Sequence, residues 1–514
     1  MKKNTRNSVY RLSVGILVLI ALMSCGTTET NERTQEASMN TRALAELAGT
    51  WQGTLSAGGQ SILLVFHIDE VDGGDVQVTM DSPDQGATGI PIPEASLEGN
   101  TLTLGAPVMS AQYQGTVNDA QDRIDGVWKQ GGAEVDLVLE RTGEAASRGE
   151  AASESRAQAQ PQPSRPTARP QEPTAPFPYE STNVTFENER EGFTLAGTIT
   201  YPSGNGPFPG VVLISGSGQQ DRNEEVFGHK PFLVIADALT RSGFAVLRYD
   251  DRGVGESGGR ETLADATSED FAHDALAAYR YLARQPFVDS GRIGLLGHSE
   301  GGVIAPMVAA ELRAGTDTNL DTDTLVPPAF HILMGAPGVP GDELLIMQSK
   351  ALLRAQGASQ SQIDAAEQVN RQIYDLLLSD APGDEIRGEI MTALTDAGLS
   401  ERQVELQLGA LLSPWYRSFL RYDPATALRQ IEAPVLAIIG ELDRQVPPED
   451  NLPAIRAALE AAPTETFTVR ELEGLNHLLQ PAQTGGVEEY SQIETTVAPE
   501  ALDLMSEWAL SQVR

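Results

Sequence analysis

The chain has 514 residues, which at roughly 150 residues per domain argues for about three structural units and excludes a single small module. Lys and Arg number 36 against 72 Asp and Glu, a formal net charge of −36. A field of that sign repels phosphate backbones, so nucleic acid is excluded as a first-choice partner. With 40% hydrophobic and 21% charged residues the chain holds enough apolar material for a sizeable core, which excludes disorder throughout.

Lys2, Lys3, Arg6 and Arg11 precede an apolar run from Leu12 to Met23. The run is too short to span a bilayer and has the form of a signal-peptide core. It ends in Leu22-Met-Ser-Cys25, and Cys25 is the only cysteine, so no intrachain disulfide is possible. Leu-x-Ser-Cys resembles the lipobox of bacterial lipoproteins. That resemblance implies a lipoprotein signal peptide over 1–25 that is cleaved before Cys25, acylation of Cys25 and a protein anchored to the membrane rather than spanning it. Gly26 after the cysteine implies sorting to the outer membrane, on the periplasmic face of the cell envelope. Residues 26–40 are polar and suit a tether.

From 41 to 142 the pattern has period two, as in Asp75-Val-Gln-Val-Thr-Met-Asp81 and Val135-Asp-Leu-Val-Leu139, and glycine-rich turn signals cut it into short strands. An all-β barrel or sandwich is expected. Its lone histidine, His67, carries no catalytic pattern, so a spacer or binding module is the reading. Residues 143–178 repeat Gly-Glu-Ala-Ala-Ser and continue in a Pro, Gln, Arg and Ala tract, the composition of a disordered linker.

From 179 to 514 apolar strands are expected at Val211–Ser215, Phe244–Tyr249, Arg292–Gly297, Phe330–Met334, Pro434–Ile439 and Phe467–Leu472. Helical spacing over Glu269–Arg284 and elsewhere alternates with them, which predicts an α/β doubly wound, mostly parallel sheet with its sites at the carboxyl ends of the strands. Residues 342 to about 425 break the rhythm with long helical runs and no strand, as a helical cap would.

Gly297-His298-Ser299-Glu300-Gly301 fits G-x-S-x-G between an expected strand and an expected helix, the setting in which a sharp turn lifts a serine hydroxyl clear of the sheet. A hydroxyl needs a base, and imidazole titrates in the right range. Of the histidines only His331 and His477 follow Ser299; His331 opens a core strand, whereas His477 lies in a loop past the last strand. Asp443, just after the strand ending at Ile439, is the expected acid, with Glu441 its local competitor. Acyl transfer also requires donors for an oxyanion; the backbone N–H groups of Glu300 and Ser217 are the candidates. Gly253-Val-Gly-Glu-Ser-Gly258 mimics a dinucleotide fingerprint without the following helix, and Asp317 to Asp323 mimics an EF-hand loop without its glycine and glutamate. No cofactor and no catalytic metal is expected.

Ser215-Gly-Ser-Gly-Gln-Gln-Asp-Arg222, Asp250-Asp-Arg-Gly-Val-Gly-Glu-Ser257, Gly297-His-Ser-Glu-Gly-Gly302, the Asp443 segment and His477 together resemble α/β-hydrolases of the EstD-like carboxylesterase branch, relatives of the serine-aminopeptidase-type hydrolases. The resemblance covers 180–514 and implies a Ser299, Asp443, His477 triad and esterase activity on small acyl esters. Where other esterases carry His-Gly in the oxyanion loop, this chain has Ser215-Gly216. Three functions follow: a lipid-anchored serine esterase whose cap residues Trp415, Tyr416 and Phe419 line the pocket; an aminopeptidase or amidase that reads a substrate amine with Glu224, Glu225 or Glu300; and an envelope ligand-binding lipoprotein with an inert hydrolase fold.

Overall fold

The computed structural model describes residue 44 and residues 47–57, 60–71, 75–82, 87–92, 94–106, 111–118, 120–130, 133–142, 169–314, 326–399 and 401–514. Cys25 with the apolar run before it, most of the expected linker, and the Asp317–Asp323 loop lie outside the described residues. No described helix is long and apolar enough to cross a membrane. The chain divides into two compact units at Thr167/Ala168.

The first unit is a nine-stranded antiparallel sheet: β1 (Gly49–Ala57), β2 (Gln60–Val71), β3 (Asp75–Ser82), β4 (Ala87–Pro91), β5 (Glu94–Glu98), β6 (Thr101–Ala106), β7 (Ala111–Val117), β8 (Arg123–Gln130) and β9 (Ala133–Thr142). The spatial order β4-β3-β2-β1-β9-β8-β7-β6-β5 joins the first and last strands and leaves sequence neighbours β4 and β5 as its two ends, a nearly closed barrel. Alternation puts Trp51, Phe66, Met80, Tyr113, Trp128 and Leu139 on the inner face, all buried. Tyr113 keeps its hydroxyl satisfied there by donating to the carbonyls of Ile124 (3.0 Å) and Leu137 (3.2 Å). The all-β expectation therefore stands, with the interior filled by large side chains.

The second unit is built on an eight-stranded sheet of order β10-β11-β13-β12-β14-β15-β16-β17. The strands are β10 (Tyr179–Asn188), β11 (Phe193–Pro202), β12 (Phe208–Ile214), β13 (Ala245–Tyr249), β14 (Val288–His298), β15 (His331–Met334), β16 (Val435–Gly440) and β17 (Phe467–Leu472). The six from β12 onward are parallel and match the expected ones; β10 and β11 form an antiparallel hairpin on one edge. β10 escapes the apolar-run criterion because it is exposed over Glu180–Asn183 and again at Thr185 and Glu187.

Central strands are apolar on both sides because both sides are covered. Val212 and Ile214 pack against helices α2 (Ser268–Ala283), α3 (Glu300–Ala314) and α10 (Pro448–Glu460), while Val211 and Leu213 pack against α1 (Pro231–Arg241) and α11 (Pro499–Gln512). Between β15 and β16 stand α4 (Gly341–Ala355), α5 (Gln360–Leu378), α6 (Gly383–Asp396), α7 (Glu401–Leu411), α8 (Pro414–Arg421) and the short α9 (Ala425–Leu428). The first five form the cap, with a core of their own around Ile373, Leu377, Ile390, Leu408 and Tyr416. Four of these helices coincide with expected runs; α8 is short, begins at a proline, and was not separable by period alone.

The boundary before the hydrolase unit shifts. Residues 169–178, assigned to the linker by composition, belong with the sheet unit. Arg169 donates to the carbonyls of Ile493 (2.9 Å) and Phe227 (3.0 Å), and Gln171 bonds Thr496 N (2.6 Å) and Val497 O (2.7 Å). A polar tract read as solvated is here satisfying backbone groups of two loops.

Candidate active site

The carboxyl ends of β12, β14, β15 and β16 are aligned by register, Ile214 beside Gly297, His298 beside Met334 and Met334 beside Ile438. Everything chemically interesting leaves the sheet at this edge. Ser299 is the single residue between β14 and α3 and has φ 53°, a left-handed conformation that costs a non-glycine residue of order 1–3 kcal/mol and persists where the surroundings impose it. A side chain on Gly301 would meet Ile214 O at 2.1 Å, and one on Gly297 would meet Gly301 O at 2.0 Å, so this turn closes only with glycine at both positions. Ser299 N donates to Met334 O at 2.8 Å, fixing the elbow to the next strand.

His477 and Asp443 come from the loops after β17 and β16. His477 Nδ1 stands 2.7 Å from Asp443 Oδ2, with both side chains buried. The other carboxylate oxygen, Asp443 Oδ1, accepts the backbone N–H groups of Gln445 (2.9 Å) and Val446 (2.7 Å), so the acid is clamped in its own turn. Asn476 clamps the His477 loop by accepting from Leu478 N and Gln480 N at 3.1 and 2.9 Å. Ser299 and His477 line one cavity of about 350 Å³. The two alternatives lie elsewhere: Glu441 accepts from Gly474 N at 2.8 Å, and His331 is enclosed on β15, where burial pushes its pKa down to about 4.

The loop after β12 passes directly against Ser299, since a Cβ on Gly216 would stand 3.1 Å from Ser299 Cβ. The acidic and basic residues of the neighbouring motifs hold that loop. Ser215 Oγ donates to Asp251 Oδ1 at 2.6 Å and Gln220 N to Asp251 Oδ2 at 2.9 Å. Arg222 grips Asp250 through Nε (2.9 Å) and Nη2 (2.5 Å). Behind them Arg252, buried, pairs with Asp274 at 2.7 Å. The Gly253–Gly258 segment that mimics a dinucleotide loop folds around this scaffold instead, with Gly253 N donating to Gly258 O at 2.7 Å.

Two acids beside Ser299 are engaged in ways that the sequence alone does not reveal. The Glu300 carboxylate accepts from Ser268 Oγ (2.5 Å) and from Trp415 Nε1 (2.8 Å), and Ser217 bonds it as well. Burial raises its pKa above the ordinary carboxylate range, and these donors pull it partway back. It thereby ties cap helix α8 to the elbow. Glu224 Oε1 accepts from Gly216 N (2.8 Å) and pairs with His298 Nδ1 (2.8 Å). Trp415, Tyr416 and Phe419 all line the cavity, with Leu344, Leu345, Leu352, Val446 and Leu478. Trp415 stacks on Phe419 at 5.2 Å, and Tyr416 bonds Tyr374 at 3.2 Å.

A doubly wound sheet, a strained serine at a strand-to-helix turn and a His–Asp pair at the same sheet edge define an α/β hydrolase. The chain belongs to the alpha/beta hydrolase family, whose model matches residues 211–487, more than half of its length. It is 28% identical over 304 residues to esterase EstD of Thermotoga maritima, a match covering 59% of this chain and 61% of that protein. A second relative, an uncharacterised 31.7 kDa protein of Escherichia coli, is 33% identical over 122 residues, or 23% of this chain and 38% of its own. The chain thus spans about three fifths and two fifths of the curated relatives it matches. Among solved structures it is similar to an esterase of Pyrococcus furiosus (16% identity, 65% of this chain and 92% of that one, TM-score 0.40) and to Est1E of Butyrivibrio proteoclasticus with bound ferulic acid (18%, 64% and 99%, TM-score 0.37).

Proposed function

We propose that the protein is a serine carboxylesterase working through Ser299, His477 and Asp443. Ser299 Oγ attacks the ester carbonyl as His477 Nε2 takes its proton, and Asp443 stabilises the imidazolium that forms. The resulting oxyanion accepts the backbone N–H groups of Glu300 and Ser217. Collapse breaks the carbonyl-carbon to alkoxy-oxygen bond, His477 returns the proton to the departing alcohol, and an acyl group remains on Ser299. Water, deprotonated by His477, then attacks the acyl-enzyme and releases the acid.

The observation that carries this reading is the buried 2.7 Å pair of His477 and Asp443 on the same cavity as a Ser299 held at φ 53°. The esterase is favoured over an aminopeptidase because the acids near the nucleophile are committed elsewhere: Glu300 to Ser268, Ser217 and Trp415, Glu224 to Gly216 and His298. An apolar cap wall of Leu344, Leu345, Leu352 and Phe419 suits an acyl or alkyl chain. The test is a panel of acyl esters and aminoacyl amides of graded length beside covalent labelling by a fluorophosphonate. Ester turnover and labelling that both vanish in Ser299→Ala support the reading; preferential turnover of aminoacyl amides overturns the choice of substrate.

We also infer that Cys25 is acylated and tethers the enzyme to the periplasmic side of the outer membrane, on the strength of Leu22-Met-Ser-Cys25 after an apolar run. Incorporation of labelled fatty acid that persists in Cys25→Ala would sink that inference.

A further inference from the structure

His298, the residue before Ser299, is buried, and each of its ring nitrogens faces an oxygen. Nδ1 is 2.8 Å from Glu224 Oε1, and Nε2 is 3.2 Å from the backbone carbonyl oxygen of His477. The carbonyl can only accept, and Glu224 Oε1 already receives Gly216 N–H at 2.8 Å. A neutral imidazole owns one N–H and would turn a lone pair toward one of these oxygens. A ring carrying both protons satisfies both. Imidazole is a stronger base than a carboxylate by roughly two pK units, so the shared proton sits on the ring.

We propose that Glu224 and His298 form a buried ion pair that positions two halves of the active site at once. Through Gly216 N–H the pair holds the loop that carries Ser217, and through the His477 carbonyl it holds the loop that carries the base. Both are positioning residues, acting through Ser217 and His477 and exchanging no proton with substrate. The role rests on the assignment of Ser299, His477 and Asp443 above. The titratable groups facing His298 are Glu224, His477, whose ring centroid is 4.7 Å away, and Asp443. Burial works against a charge on His298, yet the charge and hydrogen bond of Glu224, helped by the His477 carbonyl and Asp443, lift its pKa above the ordinary value. The remaining oxygen, Glu224 Oε2, is buried and has no hydrogen-bond donor among the described residues, which leaves His298 as the cationic partner this carboxylate faces.

When the His298 proton leaves at alkaline pH, one of its nitrogens opposes an oxygen and the two loops loosen. The full-length enzyme and its Glu224→Gln and His298→Asn variants would be compared for kcat and KM on a short p-nitrophenyl ester, and for the rate of fluorophosphonate labelling, across neutral and alkaline pH. Misplacing reacting groups by about an ångström lowers rate by about 100-fold. Glu224→Gln is expected to lose about that factor in kcat and labelling rate with KM nearly unchanged. It should also shift the alkaline limb to lower pH, because the amide no longer supports the imidazolium. Nitrogen NMR of the histidine-labelled wild type, which needs no variant to fold, should show a ring protonated on both nitrogens at neutral pH and absent in His298→Asn. A wild-type pH profile in Glu224→Gln, or six histidine rings all neutral at neutral pH, would overturn the ion pair. Failure of the wild type itself to label or turn over esters would instead overturn the esterase assignment, and the NMR result would still decide the ion pair.

Discussion

Replacing Asp443 by Asn tests the chemistry with little change of shape. In the wild type Asp443 Oδ2 faces His477 Nδ1 at 2.7 Å, while Oδ1 accepts the N–H groups of Gln445 and Val446. Those two donors anchor the amide oxygen of an asparagine where Oδ1 now lies, so its NH₂ must point at His477 Nδ1. A donor there requires Nδ1 to be the acceptor, and the single ring proton moves to Nε2, the nitrogen that has to receive the Ser299 proton. Base and orientation fail together through the tautomer. The same substitution in a well-studied serine protease triad lowers kcat by about 10⁴-fold, equivalent to about 5 kcal/mol of barrier. A loss of that size in kcat is expected here, measured on a short acyl ester at neutral pH, with a melting temperature near that of the wild type because every backbone hydrogen bond to residue 443 survives. A variant that folds normally and keeps more than a tenth of the wild-type kcat would refute the assignment of Asp443 as the orienting acid.

Ser299→Ala should abolish fluorophosphonate labelling and leave only the ester turnover that binding and oxyanion donors support; full retention of kcat would mean that another nucleophile acts. Trp415→Phe removes a donor from the buried Glu300 carboxylate while keeping the stack on Phe419; a cost of about 1–3 kcal/mol in unfolding free energy is expected from denaturant titration, and no measurable change would deny the cap-to-elbow tie. His331 binds a proton near pH 6.5 when unfolded and only near 4 when folded, so between these values the unfolded chain holds more protons and stability falls as pH drops. That difference amounts to about 3 kcal/mol by pH 4, and in His331→Leu the acid-induced loss should be smaller by about this amount in parallel melts. A fragment starting at residue 168 should melt at a higher temperature than one starting at 179, which lacks the bonds of Arg169 and Gln171; equal melting temperatures would make that segment dispensable.

The parallel strands and the elbow were legible because they rest on local signals. Apolar runs reported all six parallel strands, and Gly297-His-Ser-Glu-Gly301 reported a turn whose glycines the backbone demands. Asp443 and His477 are the candidates that chain order and position after a strand single out, and the structure places their side chains 2.7 Å apart. What stayed illegible depended on tertiary partners. Glu224 and Glu300 looked like acids open to an amine, and only the folded chain reveals Gly216, His298, Ser268 and Trp415 turned toward them. Arg169 and Gln171 looked solvated because their partners lie far off in the sequence, from 58 residues for Phe227 to 326 for Val497. β10 lacked an apolar run because it is the edge strand and largely exposed, whereas β11, paired on both sides, is mostly buried but carries threonines and a glycine among its apolar residues.

Glu300 illustrates why a carboxylate can follow the nucleophile in a fold where that position borders an oxyanion. A free negative charge beside a developing oxyanion would oppose it, and at 4 Å in an effective dielectric near 20 the repulsion would be about 4 kcal/mol. The side chain is instead turned away into donors from three elements: Ser268 on α2, Ser217 on the oxyanion loop and Trp415 on α8. Those bonds spread the charge, and burial raises the pKa toward the neutral acid. In the proposed mechanism the backbone N–H of the same residue serves the oxyanion, while its side chain bonds Trp415 of the cap. On the assignment proposed above, cap position and oxyanion donor share one residue, and a Glu300→Gln substitution should change KM for long acyl chains more than for acetate, because a neutral amide oxygen accepts more weakly than the carboxylate from Ser268 Oγ and Trp415 Nε1, which both bond Oε1, and so loosens α8. Equal effects on both substrates would place the role of Glu300 in the elbow alone.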